Sequence, residues 1–147
     1  MHGKLRAILE HKGNEVHSVA PDQTVSAAVE AMNTARVGAL LVKNGEQPIG
    51  IITERDILCR VVAAHRGPGE TLVSDVMTRE LAVVKPNLDI EDAMAVVTQK
   101  HVRHLPVVED GRVVGMISSG DLTRWAVRDR EVHIQQLVGF ITGKYPA

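Results

Sequence analysis

The sequence predicts a mixed α+β (α/β) fold in which two β-α-β-β-α repeats pack as a pseudo-twofold pair, followed by a C-terminal amphipathic helix. Three observations lead there. The chain is written twice. Each copy runs through the same order of strand-length and helix-length apolar patterns. And at 147 residues it suits two small repeats sharing a core, because one copy of about 60 residues is marginal alone.

The duplication is plain in three blocks. "VAPDQTVSAAVEAM" (residues 19–32) matches "VKPNLDIEDAMAVV" (84–97) at a displacement of 65. "RVGALLVKNG" (36–45) matches "VRHLPVVEDG" (102–111) at 66, and "PIGIITERDIL" (48–58) matches "VVGMISSGDLT" (113–123) at 65 again. This alignment gains one residue before the middle block and loses it in the turn that follows.

The elements follow in order. A short extended run, residues 16–20 and 81–85, is stopped by Pro21 and Pro86. In the helix that follows, Val25, Ala28, Val29 and Met32 fall at i, i+3, i+4, i+7, as do Ile90, Ala93, Met94 and Val97, which places four apolar side chains on one face. Apolar runs at 39–42 and 105–108 read as strands. Asn44-Gly45 and Asp110-Gly111 supply hairpin turns that tolerate positive φ, and second strands follow at 49–53 and 113–118. A second helix begins near Asp56 and near Asp121. Short helical turns at 5–9 and 73–77 precede the copies, and "AHRGPGET" (64–71) reads as a linker. The expected organisation is repeat 1 over 5–65, linker 66–72, repeat 2 over 73–128 and a helical tail over 129–147. In that tail Ile134, Leu137, Val138 and Ile141 recur at helical spacing. The tail helix fits either a lid on the pair's own core or a subunit contact.

Composition excludes several classes. A net charge of −1 with no basic stripe argues against nucleic-acid binding. Trp125, Phe140 and Tyr145 are the only aromatics, so a stacking platform for single strands is not expected. No apolar run is long enough to span a bilayer or to act as a signal peptide, and the single cysteine, Cys59, can form no internal disulfide. The expected setting is cytoplasmic. His101 and His104 lack a third ligand at clear spacing, and no nucleophile–base constellation appears. No metal, catalytic residue or catalytic cofactor is therefore expected, and the protein reads as a non-enzyme.

The chemistry-bearing feature is the recurring hydroxyl-x-x-aspartate stretch, "GIITERD" (50–56) and "GMISSGD" (115–121). Thr53 with Asp56, and Ser118 with Asp121, fit a helix-capping box. The same geometry suits a ligand site: a helix start welcomes phosphate, and a carboxylate can accept from a sugar diol through charge-assisted bonds. At this level both readings stand.

The duplicated unit resembles a tandem pair of CBS domains, the module named after cystathionine β-synthase, over nearly all of residues 5–128. It is similar to small stand-alone CBS-pair proteins with a helical tail such as "REVHIQQLVGFITG". That resemblance implies binding of an adenosine-containing ligand (AMP, ATP, NAD or S-adenosylmethionine) between the repeats, dimerisation into a flat disk, and a regulatory role, as an energy or redox sensor acting on an effector protein in trans. A structural scaffold with vestigial clefts is the alternative. Carried onto this chain, the resemblance implies a first cleft of Val19, Val37, Gly38, Ala39, Thr53, Arg55 and Asp56. The second comprises Val84, Arg103, His104, Leu105, Pro106, Ser118 and Asp121. The aspartates would hold ribose, the hydroxyl residues ribose or phosphate, and Val19 and Val84 would wall the base. Arg55, Arg103, Arg36 and Lys100 are the phosphate candidates. Arg55 falls opposite Gly120 and Gly38 opposite His104, so the two clefts are expected to differ.

Overall fold

The computed structural model describes residues 3–129; the helix expected over 134–141 lies outside them. The elements are α1 (Leu5–Lys12), β1 (Ser18–Val19), α2 (Val25–Ala35), β2 (Ala39–Asn44), β3 (Gln47–Thr53), α3 (Glu54–Ile57), α4 (Val73–Val76), α5 (Ile90–Lys100), β4 (His104–Glu109), β5 (Arg112–Ser118) and α6 (Ser119–Asp129). After α3 the chain continues as a π-helix over Leu58–Val62. No helix among the described residues is long and apolar enough to cross a membrane.

Each repeat builds its own small sheet. β1 pairs parallel with β2, and β2 pairs antiparallel with β3. In the second copy β4 and β5 form the same hairpin, and the counterpart of β1 is reduced to a parallel bridge between Val84 and Val107. The amphipathic helices lie where their periodicity puts them. Val25, Ala28 and Met32 of α2 are buried with Leu40, Val42 and Ile52, and Ile90 and Ala93 of α5 with Leu105, Val107 and Ile117. Thr24 caps α2 by accepting the Ala27 N–H at 3.2 Å. Both helices end on a left-handed residue, Arg36 (φ 57) and His101 (φ 54).

The strand register corrects the middle block of the internal alignment. Ala39 pairs with Thr53, and His104 with Ser118. The N–H of Glu54 donates to Gly38 O at 3.0 Å, as that of Ser119 does to Arg103 O at 2.8 Å. Gly38 therefore corresponds to Arg103, and His104 to Ala39, with the displacement of 65 kept throughout. The glycines of the two turns are not equivalent. Gly45 is left-handed at the first turn position (φ 64), and its counterpart is Asp110 (φ 53), not Gly111 (φ 77). Pairing satisfies backbone groups in register, and one turn glycine does not outweigh that.

The two cores are closed crosswise. Val73, Val76 and Met77, which precede the second repeat, pack into the core of the first. Leu5, Ile8 and Leu9, which precede the first repeat, pack into the core of the second. Backbone bonds fix both arrangements: Leu5 and Arg6 donate to Leu88 O and Pro86 O, and Ile51 and Thr78 exchange N–H···O bonds at 2.9 and 2.8 Å. The motif glycines permit this approach. A side chain at Gly50 would meet the backbone oxygen of Thr78 at 2.8 Å, and one at Gly115 would meet Leu9 at 2.5 Å.

Leu5 is wholly buried in the second core. Leu5→Ala is expected to lower stability by about 2–5 kcal/mol, read from urea denaturation. A loss below about 1 kcal/mol would contradict a structural role for α1 in that core.

Candidate functional site

The two capping boxes are formed as the spacing suggests. The Thr53 hydroxyl accepts the Asp56 N–H at 3.2 Å, while Asp56 Oδ2 accepts the Thr53 N–H at 2.9 Å and the Thr53 hydroxyl at 3.1 Å. Ser118 Oγ accepts the Asp121 N–H at 3.1 Å, and Asp121 Oδ2 accepts the Ser118 N–H at 2.8 Å. Both aspartates are thereby buried, and their remaining partners come from outside the motif. Asp56 Oδ1 receives the Thr78 hydroxyl at 2.9 Å and has Arg60 at 3.8 Å. Asp121 receives Lys12 Nζ and Arg124, at 2.8 and 2.7 Å.

Between the repeats lies a cavity of about 840 Å³, large enough for a nucleotide-sized ligand. It draws on both copies at once: Gly38, Thr53, Arg55 and Asp56 from the first, and Arg103, His104, Pro106 and Ser118 from the second. Residues assigned to two separate clefts from the sequence thus line one cavity here. The cavity forms where the hairpin-to-helix turns and the strand entries of both repeats meet, with Thr53–Asp56 and Gly38 from the first and Ser118–Ser119 and Arg103–His104 from the second.

Val19, Val37, Ala39, Val84, Leu105 and Asp121 are not among its lining residues. Val19, Val84 and Leu105 are buried in the two cores, so the valines before the prolines pack against core side chains and do not wall this cavity. Val37 packs against the first core, and Ala39 is buried at the start of β2. Apolar wall is supplied instead by Leu58, Leu81, Ala82 and Val102. Sequence reasoning assigned none of these to the cleft. Their signal was the extended run at 81–85 and the register that sets Val102 beside the strand entry.

The charged lining is mixed. Arg55 and Arg103 make no side-chain hydrogen bond or ion pair among the described residues, whereas Arg60 donates to Val76 O and Met77 O at 3.0 and 2.9 Å. Arg36 and Lys100, the other phosphate candidates, do not line the cavity. Arg36 is held at the end of α2 by its left-handed backbone. Glu54 lies over Gly38, its carboxylate 2.7 Å from where a Cβ would stand. Opposite Arg55, Gly120 is not an empty position: the guanidinium of Arg124 covers it.

His104 lies among these groups, on the cavity wall. Burial is the largest influence and pushes its imidazole below the usual 6.5; Glu54 and Asp121 pull it upward, Lys12 and Arg103 downward, and the net is a lowering. For Asp121, burial is again the largest single influence and acts upward. The Lys12 hydrogen bond and charge, with the Ser118 N–H and hydroxyl, together outweigh it and bring the carboxyl below 3.8.

The lowered His104 gives a pH test. The unfolded chain takes up that proton first as pH falls past 6.5, so the stability associated with the neutral ring is complete above that pH and is lost as pH falls through the folded value. Comparison of urea midpoints at about pH 7.5 and about pH 5.5 is expected to show a smaller decline for His104→Phe than for the unaltered chain. Equal declines would assign the pH dependence to other groups.

Comparison with known proteins agrees with this architecture. The CBS domain family model matches residues 12–63 and 73–128. A mitochondrial CBS domain-containing protein of Arabidopsis thaliana is 41% identical over 129 residues, covering 84% of this chain and 63% of the relative. The chain thus spans less than two-thirds of that relative's length. A CBS domain-containing protein of Bacillus subtilis is 39% identical over 108 residues, 74% of this chain and 76% of the relative. The solved structure of a putative signal-transduction protein with CBS domains from Burkholderia ambifaria superimposes with a TM-score of 0.85 at 34% identity, covering 87% of this chain and 96% of that one. With two matched repeats, a shared register and a cavity at their junction, the chain belongs to the CBS-domain family, as a tandem CBS pair.

Proposed function

We propose that the protein is a regulatory binding module that takes an adenosine nucleotide, with AMP, ATP and NAD the leading candidates, in the cavity between its repeats. One observation carries this reading. Two guanidiniums unengaged among the described residues, Arg55 and Arg103, and the buried carboxylate of Asp56 line the same space, beside apolar wall from Leu81, Ala82 and Val102. A planar guanidinium suits phosphate, a carboxylate suits a ribose diol, and the apolar wall suits a purine. The ligand signals to an effector in trans by binding one geometry of the pair better than another. A homodimer fits Leu58 and Val62, four residues apart on the π-helix and 62% and 61% exposed.

The scaffold alternative has its own support. Both motif aspartates already hold protein partners, and a capping role alone would account for them.

Calorimetry with adenosine, AMP, ATP, NAD and S-adenosylmethionine separates these readings. Arg55→Ala or Arg103→Ala is expected to weaken AMP or ATP by about 10- to 100-fold, the equivalent of one charge-assisted bond, and to leave adenosine nearly unchanged. No heat or thermal shift with any of these ligands at millimolar concentration would favour the scaffold. For the dimer, light scattering of Leu58→Glu is expected to give the monomer mass where the unaltered chain gives twice that. Equal masses would remove this face as the contact.

A further inference from the structure

The displacement of 65 lays Asp121 on Asp56, Ser118 on Thr53 and Gly115 on Gly50, and the two capping boxes have the same bonds within a few tenths of an ångström. The difference lies in what reaches each carboxylate from the crosswise segment. At Asp56 it is the neutral hydroxyl of Thr78, 2.9 Å from Oδ1. At Asp121 it is the ammonium of Lys12, which donates to Oδ2 at 2.8 Å and also to Met116 O at 2.8 Å. Lys12 corresponds to Met77, an apolar side chain that lies over Gly50.

Lys12 is delivered by a fixed element. α1 is seated by Leu5, Ile8 and Leu9 in the second core, by the Lys4–Asp89 ion pair at 2.6 Å, and by Leu9 filling the space over Gly115. The second cation on Asp121, Arg124, is of another kind. Its side chain is 74% exposed, and it pairs with its own helix neighbour three residues away, so water and salt compete with it freely. Lys12 is 35% exposed against an aspartate that is 9% exposed. A ribose diol arriving at Asp121 would exchange its own two hydrogen bonds for those of the ammonium and would leave Lys12 without its carboxylate. Neutral donors replacing a charged one in a partly buried site gain nothing on balance.

We infer that Lys12 determines how many nucleotides the chain binds: its ammonium closes the second motif to a ribose diol, so one nucleotide binds, at the Asp56 cavity, and removing Lys12 opens a second site at Asp121. This deepens the nucleotide reading and rests on it. The first motif is the sensor site, and the second carries an internal occupant in the place of a ligand.

The test uses the full chain with Lys12→Met, which copies Met77, and Lys12→Gln as a second variant should the first fail to fold. Calorimetry with AMP and with ATP is expected to give one site per chain for the unaltered protein, with any second event more than about 10-fold weaker, and two sites for either variant. Two sites of equal affinity in the unaltered chain, or one site in both variants, would overturn the inference. A ligand-free arm distinguishes its failure from that of the nucleotide reading. NMR titration of the Asp121 carboxyl is expected to move upward in both variants, and an unmoved titration overturns the role of Lys12 whatever the ligand does. A moved titration with no binding of AMP or ATP in any of the proteins overturns the nucleotide reading, and the inference with it.

Discussion

Each repeat leaves one side of its core open, and the short helix that precedes the other repeat closes it. Leu5, Ile8 and Leu9 complete the second core, and Val73, Val76 and Met77 the first. This exchange is the constraint on which the rest of the molecule depends. It ties the copies together, because the second core cannot be formed by a contiguous segment: its α1 residues lie on the far side of the whole first repeat. It also explains why both motifs begin with glycine: the closing helix runs so near the strand that a Cβ at Gly50 or Gly115 has no room. And it sets the partners of the two motif aspartates, since Thr78 and Lys12 both lie just beyond the closing helices or at their ends.

Burying a carboxylate is unfavourable unless its oxygens are bonded. The chain meets that demand twice with one backbone device and two different outside partners. A hydroxyl serves at Asp56 and leaves the carboxylate's charge unbalanced except for Arg60 at 3.8 Å. At Asp121 an ammonium and a guanidinium balance the charge directly. Two copies of the same local motif thereby acquire different electrostatic characters, and His104 sits where the charges of Glu54, Asp121 and Lys12 are all felt. The cavity inherits the difference: Arg55 and Arg103, unengaged among the described residues, come one from each repeat.

The repeat order, the helix faces, the hairpins and both capping boxes were legible because each rests on local physics: 3.6-residue periodicity, turn chemistry and a four-residue side-chain-to-backbone bond. The register of the middle strand was misread by one residue, because Gly45 and Gly111 looked equivalent while the hydrogen-bond ladder makes Gly45 the counterpart of Asp110. The candidate site was legible in its parts and not in its grouping. Thr53, Asp56, Arg103 and His104 could each be singled out, yet nothing local says that Arg55 and Arg103 line one space, or that Val19 and Val84 point into cores.

By itself the sequence determined the duplicated β-α-β-β-α architecture and the two hydroxyl-x-x-aspartate turns, because these are properties of contiguous residues. Only the tertiary structure decided which helix closes which core, which halves of the two motifs share a cavity, and that Lys12 stands on Asp121. Those are long-range matters: Lys12 and Asp121 are 109 positions apart, and no local propensity encodes a contact made only when two repeats exchange their leading helices.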